Sequence, residues 1–338
     1  MTDGLLSPHE ADVIVIGSGV AGLAVALGLA DRRVALLTKG ALGRSGSTPL
    51  AQGGIAAAVA PGDSAALHSA DTLAAAAGLA DPDVVRVLTH EAAEAIQRAL
   101  SLGVHLDRDP DGGLAVHREA AHARGRVVHA RDATGRELAR GLTAALALRP
   151  QVTAFENTFA SQLLLRSGRV CGVAARDEAG RMRLFVARAV VLATGGIGRV
   201  WERTTNPADA TGDGLAMAAR AGAQLADLEF VQFHPTALHE RLDPLPLLTE
   251  ALRGAGAILV DEEQRRFLLD VDVAGELAPR DIVARGMARH ILAGHRTFLD
   301  ARSIGPAFSE RFPTVFDICR RAGLDPRVEP IPVTPAAH

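Results

Sequence analysis

The sequence predicts an α/β protein with a doubly wound parallel sheet, followed by a second, α+β domain that caps it. Residues 11–17 form an apolar run that enters a glycine-rich turn and then a helical segment. Residues 189–196 form a second apolar run that also ends in glycines. Prolines become frequent from about residue 230, which indicates a change of architecture. A length of 338 residues favours two domains, and we place them at 1–229 and 230–338.

Composition narrows the classes of function. Apolar residues make up 48% of the chain, and the net charge of −3 comes without a basic cluster, which argues against a nucleic-acid partner. No apolar run reaches the roughly 18 residues that cross a bilayer. The amino terminus lacks the basic region of a secretory signal, so we expect a soluble cytoplasmic protein without a membrane partner. Cys171 and Cys319 are too far apart in the sequence for a disulfide framework, and buried free thiols are expected.

The elements follow in order along the first domain. A strand at 11–17, a helix at 20–30 and a strand at 34–38 make the opening βαβ unit. The loop at 40–54 is too long to be a simple connection. A helix should begin at Asp81-Pro82 and run to about residue 102. Another should begin with a capping box, Thr134 to Glu137, and end near residue 148.

Several short β segments are expected between residues 151 and 186, then the strand at 189–196 and a helix at 211–223 entered through glycines. The segment 107–112 has the acidic spacing that opens a calcium loop, but a proline lies inside it and Arg118 takes the place of the last carboxylate ligand. A hairpin turn is therefore predicted there. No other group has ligand spacing, and we expect no metal.

Six residues form a GxGxxG turn between strand and helix: Gly17, Ser18, Gly19, Val20, Ala21 and Gly22. The first glycine makes the tight turn, the second admits a pyrophosphate, and the third lets helix and strand approach. This context predicts a Rossmann-like dinucleotide site rather than an incidental glycine cluster. The acid that would bind the ribose of NAD is replaced by Thr38-Lys39, and Lys39 is the only lysine in the chain. We expect Lys39 in the site; a solvated surface lysine is the alternative.

These residues, the Ser/Thr/Gly loop at 45–54, the LATGG strand end at 192–196 and the TGDG helix entry at 211–214 resemble one family. It is the flavoprotein family of succinate dehydrogenase, fumarate reductase and L-aspartate oxidase, and the resemblance runs in order from residue 11 to 338. It implies FAD, bound by the glycine turn and by Lys39, Ser47, Thr48, Pro49, Leu50, Ala51, Gln52, Gly53, Gly54, Asn157, Thr158 and Asp213.

Two positions discriminate between members of the family. Membrane-bound members carry a histidine that attaches FAD covalently where this chain has Ser47, so the resemblance implies noncovalent FAD. The segment 117–124 resembles the Arg-Glu-Gly-Gly-His segment of the L-aspartate oxidases, although Ala120-Ala121 replace the glycines. An apolar residue stands in place of Glu119 in dicarboxylate-only members. An amino-acid substrate brings an ammonium group that a carboxylate can pair with; a surface glutamate is the alternative.

Segments 232–236, 248–254 and 278–285 resemble the substrate site of the family. The resemblance implies that His234 and Thr249 bind substrate carboxylate, that Glu250 supports the site, and that Arg280 is the catalytic group that exchanges a proton. A guanidinium is normally a fixed cation, and a helix start shifts it by only about 0.3–1 kcal/mol, so a relay to carboxylates must assist it. Each segment alone could be structural.

The stretch at 331–338 resembles the family's Pro-x-x-Pro-x-x-His segment, which implies that His338 binds a substrate carboxylate and that the chain stops before its return to the first domain. The resemblance as a whole implies FAD-dependent oxidation of L-aspartate to iminoaspartate. Oxygen or fumarate would reoxidise the flavin, and the product would pass to quinolinate synthase for NAD biosynthesis. The alternatives are a soluble fumarate reductase or succinate dehydrogenase-type flavoprotein, and an inactive, truncated flavin-binding fragment.

Overall fold

The computed structural model describes residues 7–29 and 31–338. The first six residues, which belong to the expected signal-free terminus, and Ala30, the predicted end of the first helix, lie outside the described residues. The strands of the described part are β1 His9–Glu10, β2 Val13–Ile16, β3 Val34–Leu37, β4 Ile55–Ala56, β5 Val116–His117, β6 Val127–Val128, β7 Val152–Phe155, β8 Phe159–Arg166, β9 Arg169–Arg176, β10 Met182–Val186, β11 Ala189–Leu192, β12 Phe233–Leu238, β13 Ile258–Asp261, β14 Thr297–Asp300 and β15 Ile331–Ala337.

The α-helices in the same part of the chain range from four to twenty residues. They are α1 Val20–Gly28, α2 Ala65–Ala75, α3 Pro82–Ser101, α4 Thr134–Ala147, α5 Asp213–Arg220, α6 Ala251–Gly254, α7 Arg280–Leu292, α8 Phe308–Arg311 and α9 Pro313–Arg321. Among the described residues, none of these helices has the length and apolar character needed to cross a membrane.

The nucleotide half is built on a parallel sheet in the order β11-β2-β3-β7. Val13 lies opposite Val34 on one side and Ala189 on the other, so the two predicted apolar runs are neighbours in the sheet. Leu23 of α1 is fully buried against this sheet in a core shared with Val15. The predicted α/β class, with its doubly wound parallel sheet, is confirmed.

A mixed sheet in the order β1-β10-β9-β8 packs on the other face, with β1 parallel to β10 and the other pairs antiparallel. Its β8 and β9 are eight residues each and form a hairpin, so they are longer than the short segments that the sequence predicted. Phe185 and Met217 fill the core between this sheet and the parallel one.

The second half of the chain carries its own sheet, in the order β12-β15-β14-β13. Its core lies between Leu238 and Val333 along the chain and includes the fully buried Phe308 and Met287. This separate core supports the boundary that we propose between residues 229 and 230. The last strand, β15, pairs with β12, the first strand of this half, and brings the two ends of the domain together.

Two details of the sequence prediction are wrong. Helix α4 begins at Thr134, but its N-cap is Ala133 and no side chain caps it. The Thr134 hydroxyl instead accepts the Ala130 N–H at 3.0 Å, and Glu137 accepts the His105 N–H at 2.6 Å. Tertiary partners therefore take both side chains away from the capping box.

The other incorrect expectation concerns the cysteines. Cys319 is buried as expected, and burial, helped by the charge of Asp325, raises the pKa of its thiol to about 12. Cys171 is only half-buried, because the part of β9 that carries it is incompletely covered. The hairpin turn predicted at 107–112 is confirmed by a bridge between Arg108 and Leu114.

Candidate active site

The glycine turn lies between the end of β2 at Ile16 and the start of α1 at Val20. Gly17 has φ +108°, and a Cβ there would lie 2.1 Å from the carbonyl oxygen of Ala193. A Cβ on Gly22 would lie 1.8 Å from the carbonyl oxygen of Gly17. Both positions therefore require glycine, and their close packing sets the start of α1 beside the end of β11.

We expect Gly22→Ala to lower the thermal unfolding midpoint, because the new methyl group meets backbone that cannot move aside. The cost should lie at the upper end of the about 1–3 kcal/mol typical of overpacking. Gly28→Ala is the matched control in the same helix, since a Cβ there would meet nothing within 4 Å. Calorimetry checks the pair; equal midpoints for the two variants would contradict the close packing.

A cavity of about 180 Å³ opens beyond the glycine turn. The predicted cofactor residues that line it are Gly17, Ser18, Gly19, Lys39, Ser47, Thr48, Thr158 and Asp213. Lys39 Nζ lies 2.5 Å from Asp213 Oδ2, and each side chain is 28% exposed. Lys39 is therefore a half-buried part of the cavity wall and not a freely solvated lysine.

Other predicted cofactor residues lie next to this cavity. Val20, Ala21 and Gly22 form the first turn of α1, and the Val20 N–H donates to Thr48 Oγ1 at 3.0 Å. The loop residues Pro49, Leu50, Ala51 and Gln52 line a neighbouring cleft of about 910 Å³, which His338 also lines.

The remaining three predicted cofactor residues face different surroundings. A Cβ on Gly53 would lie 3.6 Å from Glu119 Oε1, whereas a Cβ on Gly54 would lie 2.1 Å from the carbonyl oxygen of Val128. Asn157 has φ +47° and directs its amide to Glu178 at 3.5 Å. Asn157 is not among the residues that line the cavity.

Gln52 joins the two halves of the molecule. Its amide nitrogen donates to the carbonyl of Leu247 at 2.7 Å, and its amide oxygen accepts the N–H of Thr249 at 3.1 Å. Since Gln52 is buried, both bonds are shielded from water. The Ser/Thr/Gly loop therefore holds the predicted substrate segment beside the nucleotide half.

The two predicted substrate histidines meet across paired strands. His234 lies on β12, and its opposite residue on β15 is Ala336, two residues before His338. The ring centroids are 5.2 Å apart. Thr236 donates its N–H to Nδ1 of His234 at 3.2 Å, and the Thr205 hydroxyl lies 2.7 Å from Nδ1 of His338.

Both histidines resist protonation. Burial, followed by the charge of Arg280, lowers the pKa of His234 well below its usual value. His338 is exposed as a whole residue, yet packing around its ring, followed by the Arg280 charge, lowers its pKa to about 4. Neutral imidazoles bind a carboxylate as hydrogen-bond donors, so the positive charge at this site comes from arginine.

The low pKa of His338 should make stability depend on pH. The unfolded histidine binds a proton below about pH 6.5, while the folded one stays neutral down to about pH 4. The stabilisation that comes from neutral His338 is thus complete above about pH 6.5 and is lost as the pH falls towards 4. The loss should be well under the roughly 1.4 kcal/mol per pKa unit of a fully buried group, because His338 is exposed.

Thermal unfolding of His338→Asn between pH 7 and pH 4 checks this expectation. The variant should lose less stability over that range than the parent protein. His90→Asn, at an exposed histidine of α3, is the control and should keep the parent dependence. An unchanged slope in His338→Asn would contradict the assignment.

Arg280, Glu250 and Arg253 form a chain of charges that leads from the site into the second domain. Helix α7 begins at Arg280, with Pro279 as its N-cap rather than its first residue, so Arg280 still lies in the first turn. Its Nε donates to the Glu250 carboxylate, and its Nη1 donates to Gln232 at 3.0 Å. Glu250 Oε2 lies 3.4 Å from Arg253 Nη2.

This chain of charges links Arg280 to the side chains of Glu250 and Arg253; that it relays a proton stays a prediction. Glu250 and Arg253 are both buried, and burial lowers the pKa of the Arg253 guanidinium. Arg253 and Gln232 were not among the predicted site residues. The spacing of Arg253, three positions after Glu250 at a helix start, was the signal that could have identified it.

Glu119 lies on the other side of Arg280. Its carboxylate is 13% exposed, 3.8 Å from Arg280 Nη2 and 2.9 Å from His117 Nε2. Burial raises the pKa of Glu119, but the hydrogen bond and charge of His117, with Arg280, outweigh burial and leave the pKa below its usual value. Glu119 is therefore an ionised group at the edge of the substrate segments and not a solvated surface glutamate.

The loop that carries Glu119 is held by a buried arginine. Arg126 is fully buried and binds Asp63 at 2.9 Å and Asp71 at 2.6 Å. Asp71 also accepts the N–H of Ala123 at 2.8 Å, and Glu250 accepts the N–H of Ala120 at 3.1 Å. The loop accommodates Ala120-Ala121 in place of the two glycines of the resembling segment, although Ala121 adopts φ +62°.

The absence of a metal stays a prediction. Among the described residues, Asp261, His290 and His295 bring three ligand atoms within 4.8 Å of one another. The two imidazoles stack at 4.3 Å, and His295 Nδ1 pairs with Glu262 at 3.0 Å. Stacked rings direct their nitrogens in parallel, which is poor geometry for a shared ion.

The fold and the site together define a dinucleotide-binding protein, and the Ser/Thr/Gly loop of its nucleotide half contacts Thr249 and shares a cleft with His338. The family described as "FAD binding domain" matches residues 12–338. The chain belongs to that family, and its cofactor is FAD. The residues fit this group, because the glycine turn leaves no room for side chains and the adjoining cavity is lined by Lys39 and Asp213.

Curated relatives agree with the predicted resemblance. The chain is 49% identical to the L-aspartate oxidase of Mesorhizobium japonicum over 327 residues, which is 96% of this chain and 63% of that protein. It is 47% identical to the L-aspartate oxidase of Agrobacterium fabrum over 333 residues, 98% of this chain and 63% of that protein. The chain thus spans about 63% of the length of these relatives.

Solved structures agree as well. The FrdA chain of a mutant Escherichia coli quinol fumarate reductase superposes with a TM-score of 0.93 at 33% identity, over 98% of this chain and 61% of that one. Mycobacterium smegmatis Sdh1 in complex with UQ1 superposes with a TM-score of 0.81 at 33% identity, over 98% and 60%. The predicted flavoprotein family is confirmed.

Proposed function

We propose that this protein oxidises L-aspartate to iminoaspartate, with FAD accepting the two electrons. The observation that carries the proposal is the position of Glu119. A partly buried, ionised carboxylate stands among groups that otherwise bind carboxylates, 3.8 Å from Arg280 and beside Gly53. A dicarboxylate alone gains nothing from a negative charge there, whereas the ammonium group of an amino acid does.

The other predicted side chains each have a separate role in binding the substrate. His234, Thr249 and His338 bind the carboxylates, and Glu250 holds Arg280 in place. Bound FAD supplies the hydride acceptor. Arg280, linked to Glu250 and Arg253, donates a proton to carbon when the bound substrate is fumarate, and the closed contact through Gln52 keeps water from the reacting atoms. Ser47 cannot form a histidyl–flavin bond, so we propose that the FAD is held noncovalently.

An absorbance spectrum of the purified protein tests the proposal. The flavin bands should bleach on anaerobic addition of L-aspartate, and acid precipitation should release all flavin into the supernatant. Bleaching by succinate but not by L-aspartate would overturn the assignment of substrate. Flavin that stays with the precipitated protein would overturn noncovalent binding.

Fumarate reduction is the second candidate, and one observation favours it. The chain Arg280–Glu250–Arg253 is a route for delivering a proton to a substrate carbon, which reduction of a double bond needs. Oxidation of chemically reduced flavin by fumarate measures this activity. We expect both reactions in one site, since fumarate shares the two carboxylates of aspartate.

The wider role follows from the proposed product. We propose that iminoaspartate passes to quinolinate synthase for NAD biosynthesis, and that oxygen or fumarate reoxidises the flavin. A direct handover between the two enzymes and a cytoplasmic location remain predictions. Co-purification of the two enzymes would test the handover.

A further inference from the structure

A line of four side chains runs from the substrate site to a second cleft. His117 Nε2 lies 2.9 Å from Glu119 Oε1, and His117 Nδ1 lies 3.1 Å from His129 Nδ1. His129 Nε2 lies 3.6 Å from Asp107 Oδ2. Each ring thus has one nitrogen towards the site and the other away from it.

Solvent exposure increases along this line of side chains. Glu119, at the inner end, is 13% exposed, and Asp107, at the outer end, is 39% exposed. Asp107, His117 and His129 line a cleft of about 580 Å³ between the two halves of the molecule. Glu119 is absent from the lining of that cleft and lines the cleft of Arg280 and Glu250 instead.

Oxidation of an ammonium substrate needs a proton acceptor. The nitrogen must lose a proton before its electron pair can form the C=N bond, and Arg280 is already a cation that can donate but not accept. Glu119 can accept, but its pKa lies below its usual value, so it holds an added proton poorly. Imidazole is the side chain best suited to take that proton near neutral pH.

We propose that Glu119, His117, His129 and Asp107 form a proton exit that carries the ammonium proton of the amino-acid substrate to the cleft between the two halves. This inference rests on the proposed function. The proton on the substrate nitrogen leaves through Glu119 and His117. Protons exchanged with a substrate carbon pass through Arg280 and Glu250. His117, His129 and Asp107 are positioning and relay groups that do not touch the substrate.

The transfer balances over one proton. The N–H bond of the substrate breaks and an O–H bond forms on Glu119. That proton moves to His117 Nε2 as the proton of His117 Nδ1 moves to His129 Nδ1, and the proton of His129 Nε2 moves to Asp107 and to water. Both rings end neutral, and the new N–H of His129 faces the carbonyl oxygen of Val127 at 3.2 Å. Bound FAD would accept the two electrons that leave the substrate as the freed electron pair forms C=N.

The charges around the line are mixed. The cleft is lined by further ionisable side chains from both halves of the molecule, namely Arg108, Arg118, Arg131, Glu310 and Arg311. Burial, followed by the charge of His117, lowers the pKa of His129, so His129 passes a proton on and does not keep it.

His117→Gln tests the exit, because glutamine can still form a hydrogen bond with Glu119 but cannot relay a proton. We expect kcat for aspartate oxidation to fall about 10- to 100-fold with KM nearly unchanged, while fumarate reduction stays within about twofold. Imidazole added to His117→Ala should restore part of the aspartate activity, since the cleft is open. His105→Gln, at an exposed histidine outside the line, is the control.

Binding provides a readout without turnover. Anaerobic calorimetry of L-aspartate binding to protein whose flavin has been reduced beforehand, in two buffers of different ionisation enthalpy, should show proton release by the parent protein and a smaller release by His117→Gln. Equal release, or equal losses of aspartate oxidation and fumarate reduction, would overturn the exit. If the parent flavin is not bleached by L-aspartate, the proposed function fails, and the calorimetric comparison still decides whether the line carries a proton.

Discussion

Arg280→Met is expected to lower fumarate reduction by about 10³-fold, because the variant loses both the proton donor and the cation nearest the two carboxylates Glu119 and Glu250. Aspartate oxidation should fall by at least about 10²-fold, because the substrate carboxylates then meet Glu119 and Glu250 without the cation that lies beside both. Both rates are measured under anaerobic conditions, by reoxidation of reduced flavin with fumarate and by flavin bleaching with L-aspartate.

Arg285→Met is the matched control for this prediction. Arg285 lies on the same helix, is 61% exposed and pairs with Asp281 at 2.6 Å. Its loss should leave both rates within about twofold, as is usual for exposed ion pairs. Arg280→Met with a parent-like rate of fumarate reduction would show that another group supplies the proton.

Glu119→Gln is expected to separate the two substrates. The variant keeps the size of the side chain and a hydrogen bond with His117, but it loses the charge that pairs with an ammonium group. We expect kcat/KM for L-aspartate to fall by roughly 10- to 100-fold, the value of one charge-assisted hydrogen bond. Fumarate reduction should stay within about threefold or improve, because a negative charge near its carboxylates is gone.

Stopped-flow bleaching with L-aspartate and reoxidation with fumarate measure the two effects side by side. Glu119→Phe introduces an apolar residue, as in dicarboxylate-only relatives. It should also lower kcat/KM for L-aspartate, by more than Glu119→Gln does. Glu91→Gln, at an exposed glutamate of α3, is the control. A parallel loss for both substrates in Glu119→Gln would mean that Glu119 maintains the structure of the site and does not select the substrate.

Local sequence patterns were sufficient to predict most of the secondary structure of the nucleotide half. The apolar run into Gly17 and the second run into Gly195 predicted two strands that are direct neighbours in the sheet. The glycine requirements at Gly17 and Gly22 follow from the turn, and the structure shows the contacts that impose them. The capping box at Thr134 failed because its side chains found better partners outside the helix.

The substrate half was predicted in parts but not as an assembly. His234, Thr249 and Arg280 were each identified within their own segments, and their order along the chain pointed to one site. Gln232 was missed because its contact with Arg280 joins two distant segments, and Arg253 was missed although its spacing from Glu250 within one segment was visible.

Residue types and their spacing were enough to identify the fold class, the flavoprotein family, the absence of a histidine for covalent FAD and the presence of a carboxylate at position 119. The pairing of Lys39 with Asp213, the contact of His338 with Thr205 and the position of Glu119 beside Arg280 depend on tertiary structure. Such pairs join residues more than a hundred positions apart, and their distances depend on how the sheets and the two halves pack.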